Sequence, residues 1–190
     1  MAQDAYTLEQ YVTDIRAIVR EETDEDRVTS RIAPLAKRLA AAPGWLKPGH
    51  RKCDEKQGFG VHLLHEEPNH DLAVFLIAWL PNRGTMPHNH KTWAVVAGIE
   101  GLEQEVEWHR RDDGARTGYA DLERVGESVM TAGDVTTCRS DDIHSVWNVG
   151  SEISMSLHTY GRHINFTGRS EFDPERKAER PMVVTVEDKQ

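Results

Sequence analysis

Apolar positions recur at helical spacing only in the first quarter of the chain, and then give way to strand-length runs. Leu8, Tyr11, Val12, Ile15, Ile18 and Val19 share one face of a 3.6-residue repeat, behind a Thr7/Gln10 pair that reads as a capping box. Val28, Ile32, Leu35 and Leu39 mark a second amphipathic helix ending at Pro43-Gly44, and Pro34 inside it predicts a kink or a later start. From about residue 57 the segments near 60–65, 71–80, 92–99, 102–110, 134–138, 143–149 and 152–160 are short and rich in Val, Ile, Leu and Trp. Turn signals separate them at Pro68-Asn69, Pro81–Gly84, Asp112–Gly114 and Asn148–Gly150. This pattern predicts a closed or two-sheet all-β body with helices packed outside it. The expected layout is helices over 1–45, a β body over 46–170 and a charged surface tail over 171–190.

Composition narrows the function classes. The chain has 190 residues, enough for one domain with a real core, and a formal net charge of −9, which disfavours nucleic acid as a partner. The longest apolar run, Leu72–Trp79, is strand-sized and far short of the roughly 20 residues of a membrane span, so no membrane partner is expected. Met1-Ala-Gln-Asp4 lacks the basic start and apolar stretch of a signal peptide. Cys53 and Cys138 form no disulfide framework and are expected to be free thiols, so a reducing cytoplasm is the expected compartment. Oligomeric state is left between a monomer and a small homo-oligomer.

The ten histidines carry the chemistry. In Met86-Pro-His88-Asn-His90, two imidazoles two residues apart point the same way on an extended chain and can approach one ion together. His144 offers a third if its strand faces them. Farther on, Ser156, His158 and Tyr160 alternate along one strand and can form a hydrogen-bonded relay. An ordinary polar strand face would have the same spacing.

The context on both sides of these histidines resembles the two signature motifs of the cupin superfamily. His88, His90 and Gly101 stand at the first motif's spacing, with Asn82 for its leading glycine and Ala94 for its glutamate ligand. Gly133-Asp134-Val135 running to His144-x-x-x-Asn148 resembles the second motif. The resemblance implies a double-stranded β-helix, or jelly-roll, barrel with a metal on His88, His90 and His144. Without the glutamate, the ligands are three neutral imidazoles, which leave the ion its full charge and open positions for an anionic substrate.

A three-histidine cupin followed by Ser-x-His-x-Tyr resembles the thiol dioxygenases, which include cysteine dioxygenase and 3-mercaptopropionate dioxygenase. The string His88-Asn-His-Lys-Thr-Trp93-Ala is similar to the bacterial branch. By this resemblance Fe(II) is the cofactor, a small thiol and O2 are the substrates, and Ser156, His158 and Tyr160 form the catalytic relay beside the iron. The product is a sulfinic acid carrying both oxygen atoms, with no organic cofactor or external reductant. The thiol is of the 3-mercaptopropionate, cysteine or mercaptosuccinate type. Two features depart from the family. Ala94-Val95 occupies the stretch where the mammalian-type enzymes carry a cross-linking cysteine, and Val61, or with slippage His62, stands where the family has its arginine or glutamine carboxylate anchor. Replacement anchors are Arg162, His163 and Arg169, with Arg169 preferred because a bacterial-type arginine lies at a similar distance past the histidine. Another metal-dependent cupin enzyme (diketone cleavage or isomerisation) and a non-catalytic cupin binding a small carboxylate remain as alternatives.

Overall fold

A computed structural model describes residues 6–187; Met1–Asp4, read above for a signal peptide, lies outside them. Helices α1 (Leu8–Glu21) and α2 (Glu25–Ala40) form where the apolar repeat predicts. The Thr7 hydroxyl accepts from Gln10 N at 3.2 Å and Gln10 Oε1 accepts from Thr7 N at 3.0 Å, so two of the otherwise orphaned first-turn donors are satisfied. Asp24 caps α2 with a single bond, its Oδ1 accepting from Arg27 N at 3.0 Å. Because α2 starts at Glu25, Pro34 lies within it, and the later start is not adopted. Pro34 is exposed and so is Ser30, whose carbonyl loses its helical donor, so water can satisfy that carbonyl.

The rest of the described chain is β, in strands β1 (Phe59–Glu66), β2 (Asp71–Trp79), β3 (Ala94–Glu100), β4 (Glu103–Arg110), β5 (Leu122–Met130), β6 (Val135–Cys138), β7 (Ile143–Asn148), β8 (Ser154–Arg162), β9 (Ser170–Asp173) and β10 (Ala178–Pro181). They pair antiparallel as a five-stranded sheet β1-β2-β8-β3-β6, a three-stranded sheet β5-β4-β7 and a β9-β10 hairpin. The chain is thus predominantly β with two helices and fits the cupin layout. Isolated bridges from His88 to His144 on β7 and to Glu171 on β9 tie the three-stranded sheet to the hairpin, and the described strands do not pair as one continuously hydrogen-bonded barrel.

Side-chain alternation assigns the faces. On β8, Leu157 joins Tyr11, Ile15, Ile32 and Leu39 in the core beneath the helices, and Tyr11 Oη lies 2.5 Å from Thr159 Oγ1. The other face of β8 carries Ser156, His158 and Tyr160 inward, toward a second cluster with Phe59, Val61, Phe75 and Ile77.

The segment after residue 170 corrects the expected tail. It forms the β9-β10 hairpin, then an extended strap whose Met182 and Val184 are buried in the inner cluster while Val183 is exposed. Hydrogen bonds hold the strap, from Glu187 N to the main-chain Val61 O at 2.7 Å and from Val184 N to the Asn165 side-chain Oδ1 at 3.0 Å. Alternating apolar residues at 182, 184 and 186 give it an inward face despite the charged residues around them. Strand β5 was also not anticipated. It is an edge strand with most residues exposed and offers little hydrophobic alternation. No helix among the described residues is long and apolar enough to cross a membrane.

Candidate metal centre

Residues 86–90 are not a regular strand; main-chain bonds fix them instead. His88 N donates to His144 O at 2.8 Å and His144 N donates to His88 O at 3.0 Å, a reciprocal antiparallel pair that puts both side chains on one face. Asn89 N donates to Ser170 O at 3.1 Å and Ser170 N returns to Asn89 Oδ1 at 2.9 Å, so β9 braces the loop from behind.

The three imidazoles converge. One nitrogen from each of His88, His90 and His144 lies within 4.8 Å of the other two, and all three rings are buried. His88 Nδ1 donates to Met86 O at 3.0 Å and His144 Nδ1 donates to Glu105 Oε1 at 2.5 Å, which leaves each Nε2 with a free lone pair. The Nε2 atoms of His90 and His144 are 3.2 Å apart. Two imidazole nitrogens at about 2.1 Å from a shared ion stand roughly 3.0 to 3.4 Å apart at octahedral to tetrahedral angles, so the donor set fits a metal. Burial, then the neighbouring His144, holds His88 and His90 well below the ordinary imidazole range, which keeps them neutral as ligands must be. Burial pulls His144 the same way, but Cys138 and Glu105 outweigh it and lift it to about 10. Ala94, buried between Cys138 and Tyr160 on the neighbouring strands, contributes no ligand.

Beside the trio the relay residues are in hydrogen-bond contact. Ser156 Oγ is 2.8 Å from His158 Nε2, and His158 Nδ1 is 2.9 Å from Tyr160 Oη. The Tyr160 ring packs edge-on to His90 at 5.1 Å between centroids. Burial lowers His158 to about 3 and raises the Tyr160 phenol well above its usual range, so both are neutral at physiological pH.

The cavity that these groups share is small, about 20 Å³, and its walls include Val61, Ile77, Trp79, Met182 and Val184. Arg169 completes it, 3% exposed, with Nε and Nη2 lacking any partner. Burial draws its guanidinium below the usual range. An unpaired buried cation is costly unless an anion joins it. No carboxylate and no second arginine or lysine lines the cavity among the described residues.

The other anchors suggested by sequence lie elsewhere. Val61 faces the cavity, so alternation turns His62 outward, where its Nε2 donates to Lys52 O at 2.9 Å and its ring meets His50. Arg162 is exposed at the end of β8, 3.1 Å from Asp71. His163 accepts from Asn165 N at 3.2 Å and packs on Phe75, away from the cavity lining. Two carboxylates were missed, Glu105 behind His144 and Glu103 behind Ser156. Their only sequence signal is the Glu-x-Glu-x-Glu alternation at 103–107.

No protein-family model matches the chain. Among solved structures, an oxalate oxidase is 15% identical over 62% of this chain, with a TM-score of 0.46; the chain spans 57% of that protein's length. A Klebsiella pneumoniae protein with a double-stranded β-helix domain is 17% identical, over 58% of this chain and 81% of its own, with a TM-score of 0.41. Oxalate decarboxylase from Bacillus subtilis is 23% identical over 49% of this chain and 22% of its own, with a TM-score of 0.38.

Proposed function

We propose that this chain is an Fe(II)-dependent thiol dioxygenase that adds both atoms of O2 to the sulfur of a small thiol carboxylate, giving the sulfinic acid. The observation that carries the reading is three converging imidazoles without a carboxylate ligand, beside a hydrogen-bonded Ser-His-Tyr series and a buried arginine whose Nε and Nη2 have no partner. His88, His90 and His144 would hold the ion, which would supply open coordination positions where a thiolate and O2 meet and would lower the thiol's pKa.

The chain's own groups do the rest. Arg169 binds and orients the carboxylate, whose negative charge offsets the buried guanidinium. The walls formed by Ile77, Trp79 and Met182 exclude water and strengthen that pairing. Tyr160, held by His158, presents a neutral hydroxyl beside the histidines. With Arg169 as the one arginine or lysine and no carboxylate in the lining among the described residues, a monocarboxylic thiol without an amine is the best-matched substrate class. The ammonium of cysteine and the second carboxylate of mercaptosuccinate would each enter unpaired.

Oxygen-electrode assays on iron-loaded protein with a thiol panel test this. O2 uptake with 3-mercaptopropionate in excess of that with cysteine, and sulfinate recovered at one per O2, is the expected result. Uptake with a diketone alone, or with no compound, would reject the assignment.

A further inference from the structure

The relay does not end at Ser156. Glu103 Oε2 lies 2.9 Å from Ser156 Oγ, and the Glu103 side chain is buried, with Oε1 making no hydrogen bond. Trp79 Nε1 also donates to Ser156 Oγ, at 3.4 Å. The series is therefore Glu103–Ser156–His158–Tyr160, with a carboxyl at its inner end.

Each hydroxyl in such a series has one proton, so the carboxyl determines which way every bond points. With Glu103 protonated, its O–H donates to Ser156, Ser156 donates to His158 Nε2, His158 Nδ1–H donates to Tyr160 Oη, and the Tyr160 proton is free to point into the cavity. Loss of the Glu103 proton to solvent reverses the order. Ser156 then donates to the carboxylate, His158 carries its proton on Nε2, and Tyr160 gives its hydroxyl proton to His158 Nδ1. In both arrangements Ser156 accepts two bonds, one of them from Trp79, and donates one, so both are complete.

We propose that Glu103 is a positioning residue, a buried carboxylic acid that sets the direction of the relay so that Tyr160 donates a hydrogen bond into the substrate cavity. The inference rests on the reading of Tyr160 as the hydroxyl that meets the substrate. Two further observations support it. A carboxylate this deeply buried, with neutral hydroxyls as its neighbours and no cation beside it among the described residues, is poorly accommodated, whereas the neutral acid is not. Burial pushes Glu103 up to about 8 against the lowering pull of the Ser156 and Ser154 hydroxyls, with Glu105 on the same strand adding to the rise. The residues opposite it, Met130 on β5 and Asn148 on β7, carry no charge; His158 on β8 is the ionisable group reached through Ser156.

The test is nitrogen-15 NMR of histidine-labelled, zinc-loaded full-length protein, with His158 assigned by H158Q, together with infrared spectra of the carboxyl region. In the native protein His158 is expected as the Nδ1–H tautomer at pH 6.5, switching to Nε2–H as pH rises through about 8. A protonated-carboxyl band should fade over the same range. Glu103→Gln, close to isosteric and unable to ionise, should keep the Nδ1–H tautomer throughout and lack the band. An Nε2–H tautomer at pH 6.5, a tautomer indifferent to pH, or a band that persists in E103Q would overturn the proposal. The spectra need no turnover. If no thiol is oxidised while the tautomer switches as described, the dioxygenase reading fails and the orientation of the relay stands.

Discussion

Removing the carboxylate behind His144 should weaken metal binding while the fold persists. Glu105 Oε1 accepts from His144 Nδ1 at 2.5 Å, and its side chain is 12% exposed, so the bond is shielded from water. It fixes the ring orientation and the tautomer that leaves Nε2 free, and it makes the imidazole a stronger donor to the metal. A hydrogen bond to a charged group contributes about 1.5–3 kcal/mol, and a neutral acceptor retains roughly half of that. Glu105→Leu should therefore lower metal affinity by about 10- to 150-fold, and Glu105→Gln by about 4- to 12-fold. Anaerobic competition for Fe(II), and in parallel for Zn(II), against a chelator of known affinity gives the constants. Glu107, two residues on and exposed, is the control, and E107L should bind as the native protein does. An E105L affinity within twofold of native, or an equal loss in E107L, would refute the argument that this hydrogen bond supports the ligand.

Other outcomes follow from the same geometry. Tyr160→Phe should keep its metal content and lose about 100-fold or more in turnover, within the span of positioned proton donors; metal analysis and oxygen uptake check both halves. Arg169→Met removes an unpaired buried cation, so it should melt a few degrees higher, about 2–4 °C for each kcal/mol, while kcat/KM for the thiol carboxylate falls by about tenfold or more. A lower melting temperature would mean that Arg169 has a partner in the resting protein. Met182→Ala opens the strap over the cavity and should cost about 2 kcal/mol or more in denaturant unfolding.

The sequence made the Ser-His-Tyr series legible because its spacing is a property of the extended chain, and it singled out the candidate histidines by their motif context. Ser156, His158 and Tyr160 had to share a face of β8, whereas His88 and His90 converge although residues 86–90 are not a regular strand. That His144 opposes them was legible only through the motif resemblance, since the closing contact is a main-chain pair between residues 56 positions apart, from His88 to His144. The failures have the same geometric origin. At the start of β1 a one-residue slip exchanges Val61 for His62, and the two faces of that strand lead to different partners. Glu103, Glu105 and Glu107 are equivalent in a period-two pattern. Only the placement of β4 between β5 and β7 decides that the first is buried, the second reaches His144 and the third meets solvent. The strap at 182–186 has the alternation of a strand, but charged residues around it mask that signal, and the inward Met182 and Val184 help close the cavity.

Anomalous diffraction at the iron edge from crystals of the reconstituted protein tests the central claim most directly. One peak in bonding contact with the Nε2 atoms of His88, His90 and His144 is the predicted result. Glu105, Cys138 and His144 form a second set of donors close enough to share an ion, on the Nδ1 side of the same ring. A peak there, or none at all, would contradict the account.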